Sequence, residues 1–329
     1  MQNMKILWIL IFCSVISNSV LSKEINTIEF DYKSFSLKDS ISKELSFDQI
    51  IDAINYYCST DIQKLCLVAG WFYENIDFDL EKFITSGGAN DYRTVFKLKK
   101  GICGDYSALF SEFCNRLNIT NEIIEGYVPE YNSDNKVYYD TNHAWNVIRL
   151  GNKWYHCDLL GFSGVLNIDR SGRYHFIKKP DTSDFLTQDL RFLSKHIPAD
   201  PIWQLSNFPI PLDTLISYGN RAKIDSTQKW FDYNARIGSY INLPETEKSL
   251  RFADNAFDYN RNNSNVVVIN YYNAAVDLIN NGKNDRNKLI KAKKYLEKSK
   301  TFLPNARNGV EVLKDEINKG LAIINQSVL

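Results

Sequence analysis

The sequence lacks an excess of charge of either sign. Its 39 Lys and Arg residues balance 39 Asp and Glu residues, which gives a formal net charge of zero. A nucleic-acid-binding protein needs a basic excess to contact phosphates, and a long acidic tail would show the opposite imbalance. The balance argues against both classes, and we expect no nucleic-acid partner. Hydrophobic residues make up 44% of the chain, which excludes global intrinsic disorder.

The chain also lacks a hydrophobic run long enough to span a bilayer. An apolar run of 11 residues, 6–16, follows Lys5 and precedes small polar residues that end at Ser22. This layout is typical of a secretory signal peptide, whereas a spanning helix needs about 20 residues. A permanent anchor is therefore the weaker interpretation. We expect a signal peptide over residues 1–22, contact with a membrane only during export, and a secreted or periplasmic protein.

Cysteines are few, and their number is odd once the signal peptide is removed. The remaining five are Cys58, Cys66, Cys103, Cys114 and Cys157. At least one thiol must then stay unpaired within the chain, and such a thiol in an exported protein is a candidate reactive group. Cys103 and Cys114 are 11 residues apart on one predicted helix, or about 16 Å, so they cannot form a disulfide.

Metal-binding signatures are absent from the sequence. The histidines His143, His156, His175 and His196 do not follow a zinc spacing, although His143 and His156 could be combined with Asp158 as ligands. No compact acidic loop of the calcium-binding kind occurs. We therefore predict no metal ion and no cofactor.

Helical periodicity is present in the N-terminal half. Apolar residues predict two short helices over residues 46–76 and a further helix over 106–117 that begins near Cys103. The pair Gly151-Asn152 lies between strand-like runs and predicts a two-residue hairpin turn. The strand-like runs cover residues 123–128, 145–150 and 153–159.

The C-terminal part follows a proline-rich stretch at residues 198–211 and is helical in pattern. Amphipathic helices are predicted at about 226–240, 245–259, 266–280, 286–302 and 309–325. Ala292, Leu296, Ser299 and Pro304 fall at the spacing found in the second helix of a tetratricopeptide unit. A tetratricopeptide-like hairpin array is therefore one expected form of this region.

Cys103 stands in the stretch Gly101-Ile102-Cys103-Gly104 at the predicted start of a helix. The unpaired amides of a helix N-terminus favour a thiolate and can stabilise an oxyanion. Gly101 and Gly104 would leave room for a substrate backbone. The alternative is a small buried structural cysteine.

The predicted hairpin brings two further residues to one face. If Gly151-Asn152 form the turn, paired positions sum to 303, and Trp145 lies opposite Asp158. His143 then lies diagonal to Asp158, about 7 to 8 Å away between backbones. A carboxylate there could hold the imidazole in one tautomer while its other nitrogen faces a thiol. Cys157 points to the opposite face and is predicted to be a core residue.

These features occur within an ordered series of sequence motifs. The motifs are DIQKLCLVAGWFYENIDFD at 61–79, KGICGDYSALFSEFCNRLNI at 100–119, EGY at 125–127, HAWNV at 143–147, KWYHCD at 153–158 and HIPADPIWQL at 196–205. Together they resemble the transglutaminase-like superfamily, closest to its bacterial and kyphoscoliosis-peptidase-type branch.

The resemblance implies an α+β fold with a papain-like core, in which N-terminal helices pack on an antiparallel sheet. It implies that Cys103 is the nucleophile, His143 the base and Asp158 the orienting acid of an acyl transfer through a thioester. Gly101, Gly104 and Trp145 are predicted to contact a protein or peptide substrate, although core packing is the alternative for Trp145.

The expected domains follow from the motifs and the helical pattern. They are a signal peptide at 1–22, an N-terminal extension at 23–45, a transglutaminase-like domain at 46–206, a linker at 207–225 and an all-α domain at 226–329.

One departure from the family pattern keeps a second function open. Asp158 is followed by Leu159-Leu160-Gly161-Phe162, whereas the family often has polar and indole groups after the acid. The alternative function is a noncatalytic peptide-binding or assembly protein that docks a partner through its helical domain.

Overall fold

The structure is a computed structural model that describes residues 45–85, 87–129, 137–227, 229–282 and 285–328. The predicted signal peptide lies outside the described residues, as does the predicted N-terminal extension except for Leu45. The chain divides into two compact units. The first comprises Met1–Ile124 and Ala144–Phe192, and the second comprises Glu125–His143 and Leu193–Leu329.

The first unit contains both helices and short strands. Its elements are α1 (Phe47–Tyr57), α2 (Asp61–Asn75), β1 (Asp77–Phe78), α3 (Leu80–Ile84), α4 (Tyr92–Leu98), β2 (Lys100–Gly101), α5 (Cys103–Arg116), β3 (Asn121–Tyr127), β4 (His143–Leu150), β5 (Lys153–Cys157), α6 (Leu159–Ser163), β6 (Gly164–Ile168), β7 (Tyr174–Lys178) and α7 (Leu190–Leu193). The last residues of β3 and the first residue of β4 belong to the second unit.

The two helices predicted over residues 46–76 are confirmed, and both begin with a capping box. The Ser46 and Thr60 side chains accept hydrogen bonds from the backbone amides of Gln49 and Gln63, and each glutamine side chain accepts one from the cap amide. A capping box satisfies two backbone donors that the first helical turn leaves unpaired. The sequence pattern Ser or Thr followed three residues later by Gln therefore sets both helix starts.

The core of the first unit is aromatic. Trp71 and Phe72 of α2 pack against Phe113 of α5, with ring centroids 5.2 and 5.8 Å apart. Each such side chain contributes about 1.5 to 3 kcal/mol when it is fully buried. The helical stripe of α5 is thus held on α2, and the start of α5 is held with it.

The predicted hairpin between β4 and β5 is confirmed with its predicted register. Leu150 pairs with Lys153 and Asn146 pairs with Cys157, so paired positions sum to 303. Gly151 has φ +59°, a conformation that a glycine adopts at little cost in a two-residue turn. Within the first unit β4 also lies beside β3, and the Arg149 amide donates to the Thr120 carbonyl at 2.9 Å.

Side chains alternate between the two faces of this hairpin. Ile148 of β4 and Tyr155 and Cys157 of β5 join the core cluster that includes α2 and α5. The Asn146 side chain donates to the Ser107 carbonyl of α5 at 3.1 Å. The even-numbered positions of β4 therefore face α5, and Cys157 is a core residue as predicted.

The second unit is mainly helical. Its elements after β4 are β8 (Ile197–Pro198), α8 (Leu212–Tyr218), α9 (Tyr233–Ile241), α10 (Glu245–Tyr259), α11 (Ser264–Asn280), α12 (Arg286–Phe302) and α13 (Leu313–Val328). In this unit β8 pairs antiparallel with the end of β3, with Gly126 opposite Pro198. The predicted order, helices with an antiparallel sheet followed by a helical C-terminal region, is confirmed.

The tetratricopeptide-like positions are packing positions of α12. Ala292, Leu296 and Ser299 are fully buried, and the Ser299 hydroxyl donates to the Val268 carbonyl of α11 at 2.8 Å. Ala292 and Ser299 are small, and the bond from Ser299 joins α12 directly to the α11 backbone. Among the described helices, none combines the length and the apolar character needed to cross a membrane.

Candidate active site

Helix α5 begins at Cys103, as the sequence predicts. The preceding residue, Ile102, is extended, with φ −98° and ψ −178°, and its carbonyl accepts the first helical bond from Tyr106 at 3.0 Å. An apolar cap residue cannot accept a bond from the amides of the first turn. The carboxylate of Asp105 instead reaches back to the Ile102 amide at 2.8 Å.

Cys103 differs in accessibility from the other cysteines that the structure describes. Cys58, Cys66, Cys114 and Cys157 are buried, whereas Cys103 is half-buried. Burial raises the pKa of the Cys114 and Cys157 thiols and so keeps them in the protonated, unreactive form. Among the described cysteines, Cys103 is therefore the most accessible residue.

Gly101 and Gly104 are needed for close packing around Cys103. A Cβ at Gly101 would lie 2.4 Å from the Asp105 Cβ, and a Cβ at Gly104 would lie 3.0 Å from the Ala89 Cβ. Two Cβ atoms cannot lie 2.4 Å apart, so any other residue at position 101 would collide with Asp105. The predicted contact of both glycines with a substrate stays a prediction.

Asp158 directly follows β5 and is buried. Its Oδ1 accepts a hydrogen bond from the Leu160 amide at 2.9 Å, which caps α6, and its own amide donates to the Asp184 carbonyl at 2.8 Å. Burial raises the pKa of Tyr106, and the nearby carboxylates of Asp77 and Asp158 raise it further. Tyr106 follows Cys103 by one helical turn, so the Asp158 charge acts on the first turns of α5.

The residues after Asp158 do not continue β5. Leu159–Ser163 form α6, and Leu159 and Phe162 are buried in the core. A Cβ at Gly161 would lie 2.6 Å from Asp184 Oδ2 and 3.0 Å from Asp158 Oδ2. The departure from the family pattern is thus an apolar helical turn, and its glycine leaves room for two carboxylates.

Trp145 is fully buried on the opposite face of β4 from α5. Its indole Nε1 donates to His156 Nδ1 at 3.1 Å, and its ring meets the Phe192 ring edge-on, with centroids 6.0 Å apart. These contacts agree with the alternative that Trp145 is a core residue. The predicted contact of Trp145 with a substrate stays a prediction. Since His156 Nδ1 accepts this bond, the neutral ring carries its proton on Nε2.

His143 is the first residue of β4 and belongs to the second unit. Its ring centroid lies 5.2 Å from that of His196, a buried residue just before β8. Asn142, next to it, is fixed to the end of β3: its amide donates to the Gly126 carbonyl at 3.0 Å, and its side-chain oxygen accepts from the Val128 amide at 2.8 Å. The sequence does not predict this contact between His143 and His196.

A network of amide side chains holds the segment before His143 inside the second unit. The Asn265 side chain donates to the Asp140 carboxylate and to the Arg307 carbonyl, and its oxygen accepts from the Arg307 amide at 2.9 Å. The Asn260 and Asn263 side chains both donate to the Tyr127 hydroxyl at 3.1 Å. The segment that ends at His143 is therefore anchored to the start of α11.

Comparison with known proteins gives a family match for part of the chain. Residues 48–159 match the family model of the transglutaminase-like superfamily. Kyphoscoliosis peptidase from Homo sapiens is 22% identical over 195 residues, covering 56% of this chain and 29% of that protein. Its Mus musculus counterpart is 20% identical over 192 residues, with the same coverage. The chain thus spans less than a third of the length of these curated relatives.

A solved structure described as a crystal structure of a TGase is 16% identical, covers 45% of this chain and 37% of that chain, and has a TM-score of 0.28. The family match confirms the predicted resemblance to the transglutaminase-like superfamily and the predicted transglutaminase-like core. The catalytic roles predicted for Cys103, His143 and Asp158 stay predictions.

Proposed function

We propose, on the premise that residues 48–159 form a transglutaminase-like core, that this protein is an exported cysteine enzyme acting on protein or peptide amides. The reaction is acyl transfer or hydrolysis through a thioester on Cys103. The observation that carries this proposal is Cys103 itself, a half-buried cysteine at the first residue of α5, in a chain whose other described cysteines are buried. A helix start favours the thiolate form that nucleophilic attack requires.

The proposed chemistry proceeds in two balanced steps. His143 takes the thiol proton, and the Cys103 sulfur attacks the amide carbon to form a carbon–sulfur bond and an oxyanion. The carbon–nitrogen bond then breaks, and the leaving ammonia or amine takes the proton from His143. Water or a second amine next attacks the thioester and gives a proton to His143, and the Cys103 thiolate leaves.

Asp158 has the role of orienting acid in this scheme. Its buried carboxylate, fixed by the Leu160 amide of α6, can accept a hydrogen bond from a neutral imidazole and stabilise the imidazolium that forms. Amide groups at the start of α5 would stabilise the oxyanion.

Alkylation across a pH series tests this proposal. The mature chain is treated with iodoacetamide, and the adducts are located by mass spectrometry. Cys103 should react first and remain reactive below pH 7, and His143→Ala should raise the pH at which it reacts. A Cys103 that reacts no faster than the buried Cys114 would contradict the enzyme proposal. Incubation with a glutamine peptide and a primary amine then separates transfer from hydrolysis.

A second candidate is a noncatalytic peptide-binding or assembly protein. The observation that favours it is α6, where apolar Leu159 and Phe162 replace the polar loop that often follows the acid in this family. Such a protein would hold an extended peptide and dock a partner through its helical region. It would bind glutamine peptides with no release of ammonia or amine, and Cys103→Ala would leave that binding unchanged.

A further inference from the structure

The carboxylate of Asp105, two residues after Cys103, is fully buried. Its Oδ2 accepts from the Ile102 amide at 2.8 Å and from Lys82 Nζ at 2.6 Å. Its Oδ1 accepts from the Asn90 amide at 2.6 Å and from Lys82 Nζ at 2.9 Å. Four donated bonds match what the two oxygens of an ionised carboxylate can accept.

These bonds join three separate segments to the first turn of α5. Ile102 immediately precedes the candidate nucleophile, Asn90 belongs to the loop before α4, and Lys82 belongs to α3. The same loop places Ala89 against Gly104. The position of the Cys103 backbone, and of the amides around it, therefore depends on one carboxylate.

The charge of Asp105 has a single ammonium partner at bonding distance among the described residues, Lys82. The side chains of Lys82 and Asp105 are 13% and 0% exposed, so water screens neither charge well. Removing one partner leaves the other charge uncompensated next to Cys103. A lone carboxylate there disfavours a thiolate, whereas a lone ammonium favours it.

We propose that Asp105 and Lys82 form a positioning pair for the nucleophile: Asp105 fixes the start of α5 around Cys103, and Lys82 cancels the negative charge that this anchor would otherwise place beside the thiolate. The inference rests on the proposed function, since it assigns a role at the same site. It also predicts effects on Cys103 that do not depend on turnover.

The test measures the pH midpoint of Cys103 alkylation by iodoacetamide in the full chain. Lys82→Met should raise the midpoint by about one pH unit, which lowers the alkylation rate about tenfold at a pH below the midpoint. Asp105→Asn should lower the midpoint by a similar amount. The double variant should return the midpoint close to that of the wild type. Its turnover of a glutamine peptide should stay about 100-fold low, because the anchor is lost.

Two further variants separate charge from folding. Lys82→Arg keeps the charge and should keep the midpoint of the wild type. Arg116→Met breaks the surface ion pair with Asp48 at the other end of α5 and should change neither midpoint nor turnover. Lys82 lies outside α5, so the Lys82 variants carry the test even if Asp105→Asn fails to fold.

Unchanged midpoints in Lys82→Met and Asp105→Asn, or shifts of the same sign, would overturn the pairing. So would a Lys82→Arg variant that behaves like Lys82→Met. Opposite shifts in a protein that turns over no amide would instead support the pair and reject the proposed enzyme.

Discussion

The two units hold their candidate catalytic residues by different means. In the first unit, the segment that carries Cys103 is fixed by a buried ion pair, in which one carboxylate accepts every bond. In the second unit, the segment that ends at His143 is fixed mainly by the neutral side chains of Asn260, Asn263 and Asn265.

The two segments should therefore respond differently to single substitutions. Loss of one member of a buried ion pair removes several bonds and leaves a charge in the interior. Loss of one amide removes two or three bonds but leaves no net charge. We therefore expect the Cys103 segment to depend on a few residues, and the His143 segment to tolerate single changes better.

The largest expected effect comes from the two residues that are proposed to react, Cys103 and His143. Cys103→Ala and His143→Ala should each lower turnover of a glutamine peptide by about four orders of magnitude, since members of a catalytic set act together. Ammonia or amine release measures this loss. Cys103→Ala should leave the melting temperature unchanged. A His143→Ala variant with full turnover would contradict the proposed role of His143 as the base.

The next effect is on the stability of the first unit. Lys82→Met should lower the free energy of unfolding by about 3 to 5 kcal/mol, because it leaves Asp105 buried without its ammonium. Urea denaturation measures this change. Lys82→Arg is the matched control and should cost much less. A Lys82→Met variant as stable as the wild type would show that the pair does not anchor the segment.

Asp200 is a fully buried carboxylate of the second unit and provides a pH test. Burial raises its pKa to about 6 from 3.8, opposed by a bond from Asn255. The folded state then binds the proton more tightly than the unfolded state, so stability falls as pH rises from about 4 to 6.

Replacing Asp200 should therefore remove a pH dependence. As the pH rises from 4 to 7, the free energy of unfolding of Asp200→Asn should increase relative to that of the wild type by about 2 to 3 kcal/mol. Thermal melts of both proteins at the two pH values measure this gain. An equal difference in stability at both pH values would show that Asp200 titrates in its ordinary range.

The smallest effect is expected in the amide network. Asn265→Ala should lower the free energy of unfolding by about 1 to 3 kcal/mol, because it removes the bonds of Asn265 to the part-buried amide and carbonyl of Arg307. Asn270→Ala on the same helix, whose amide bonds only its own helix backbone, is the control. A loss as large as that of Lys82→Met would erase the contrast between the units.

Much of the first unit follows from local sequence signals. The Gly151-Asn152 turn sets the hairpin register, because one residue of slip would exchange the two faces of each strand. The apolar stripe of α5 and the glycines before it predict a helix that starts at Cys103. The helices α10 and α12 have the predicted bounds, Glu245–Tyr259 and Arg286–Phe302.

Other elements depend on contacts between residues distant in the sequence. The apolar run at 153–159 predicts a strand throughout, but Asp158 turns its carboxylate to the Leu160 amide and starts α6. The predicted helix at 226–240 begins only at Tyr233, where Asp232 caps it. The hairpin of β6 and β7 was not predicted. Its contacts are made by aromatic residues distant in the sequence, since Phe176 packs on Phe78 and Tyr174 packs on Phe83.

The anchoring pair of the site was also missed. Asp105 at the third position of α5 is an ordinary helix-start residue in the sequence, and Lys82 lies 23 residues earlier. Only the folded chain brings them together. The signal available in the sequence is Gly101, whose missing side chain makes room for Asp105.

The burial of the other sulfurs has a consequence for handling this protein. Oxidants such as hydrogen peroxide react with thiolates, and Cys114 and Cys157 are held as thiols in the interior. A mild oxidant should therefore meet Cys103 first and convert it to a sulfenic acid, without unfolding the chain. Reactivity of Cys103 toward iodoacetamide that is lost on storage in air should return with a reducing agent, until over-oxidation makes the loss permanent.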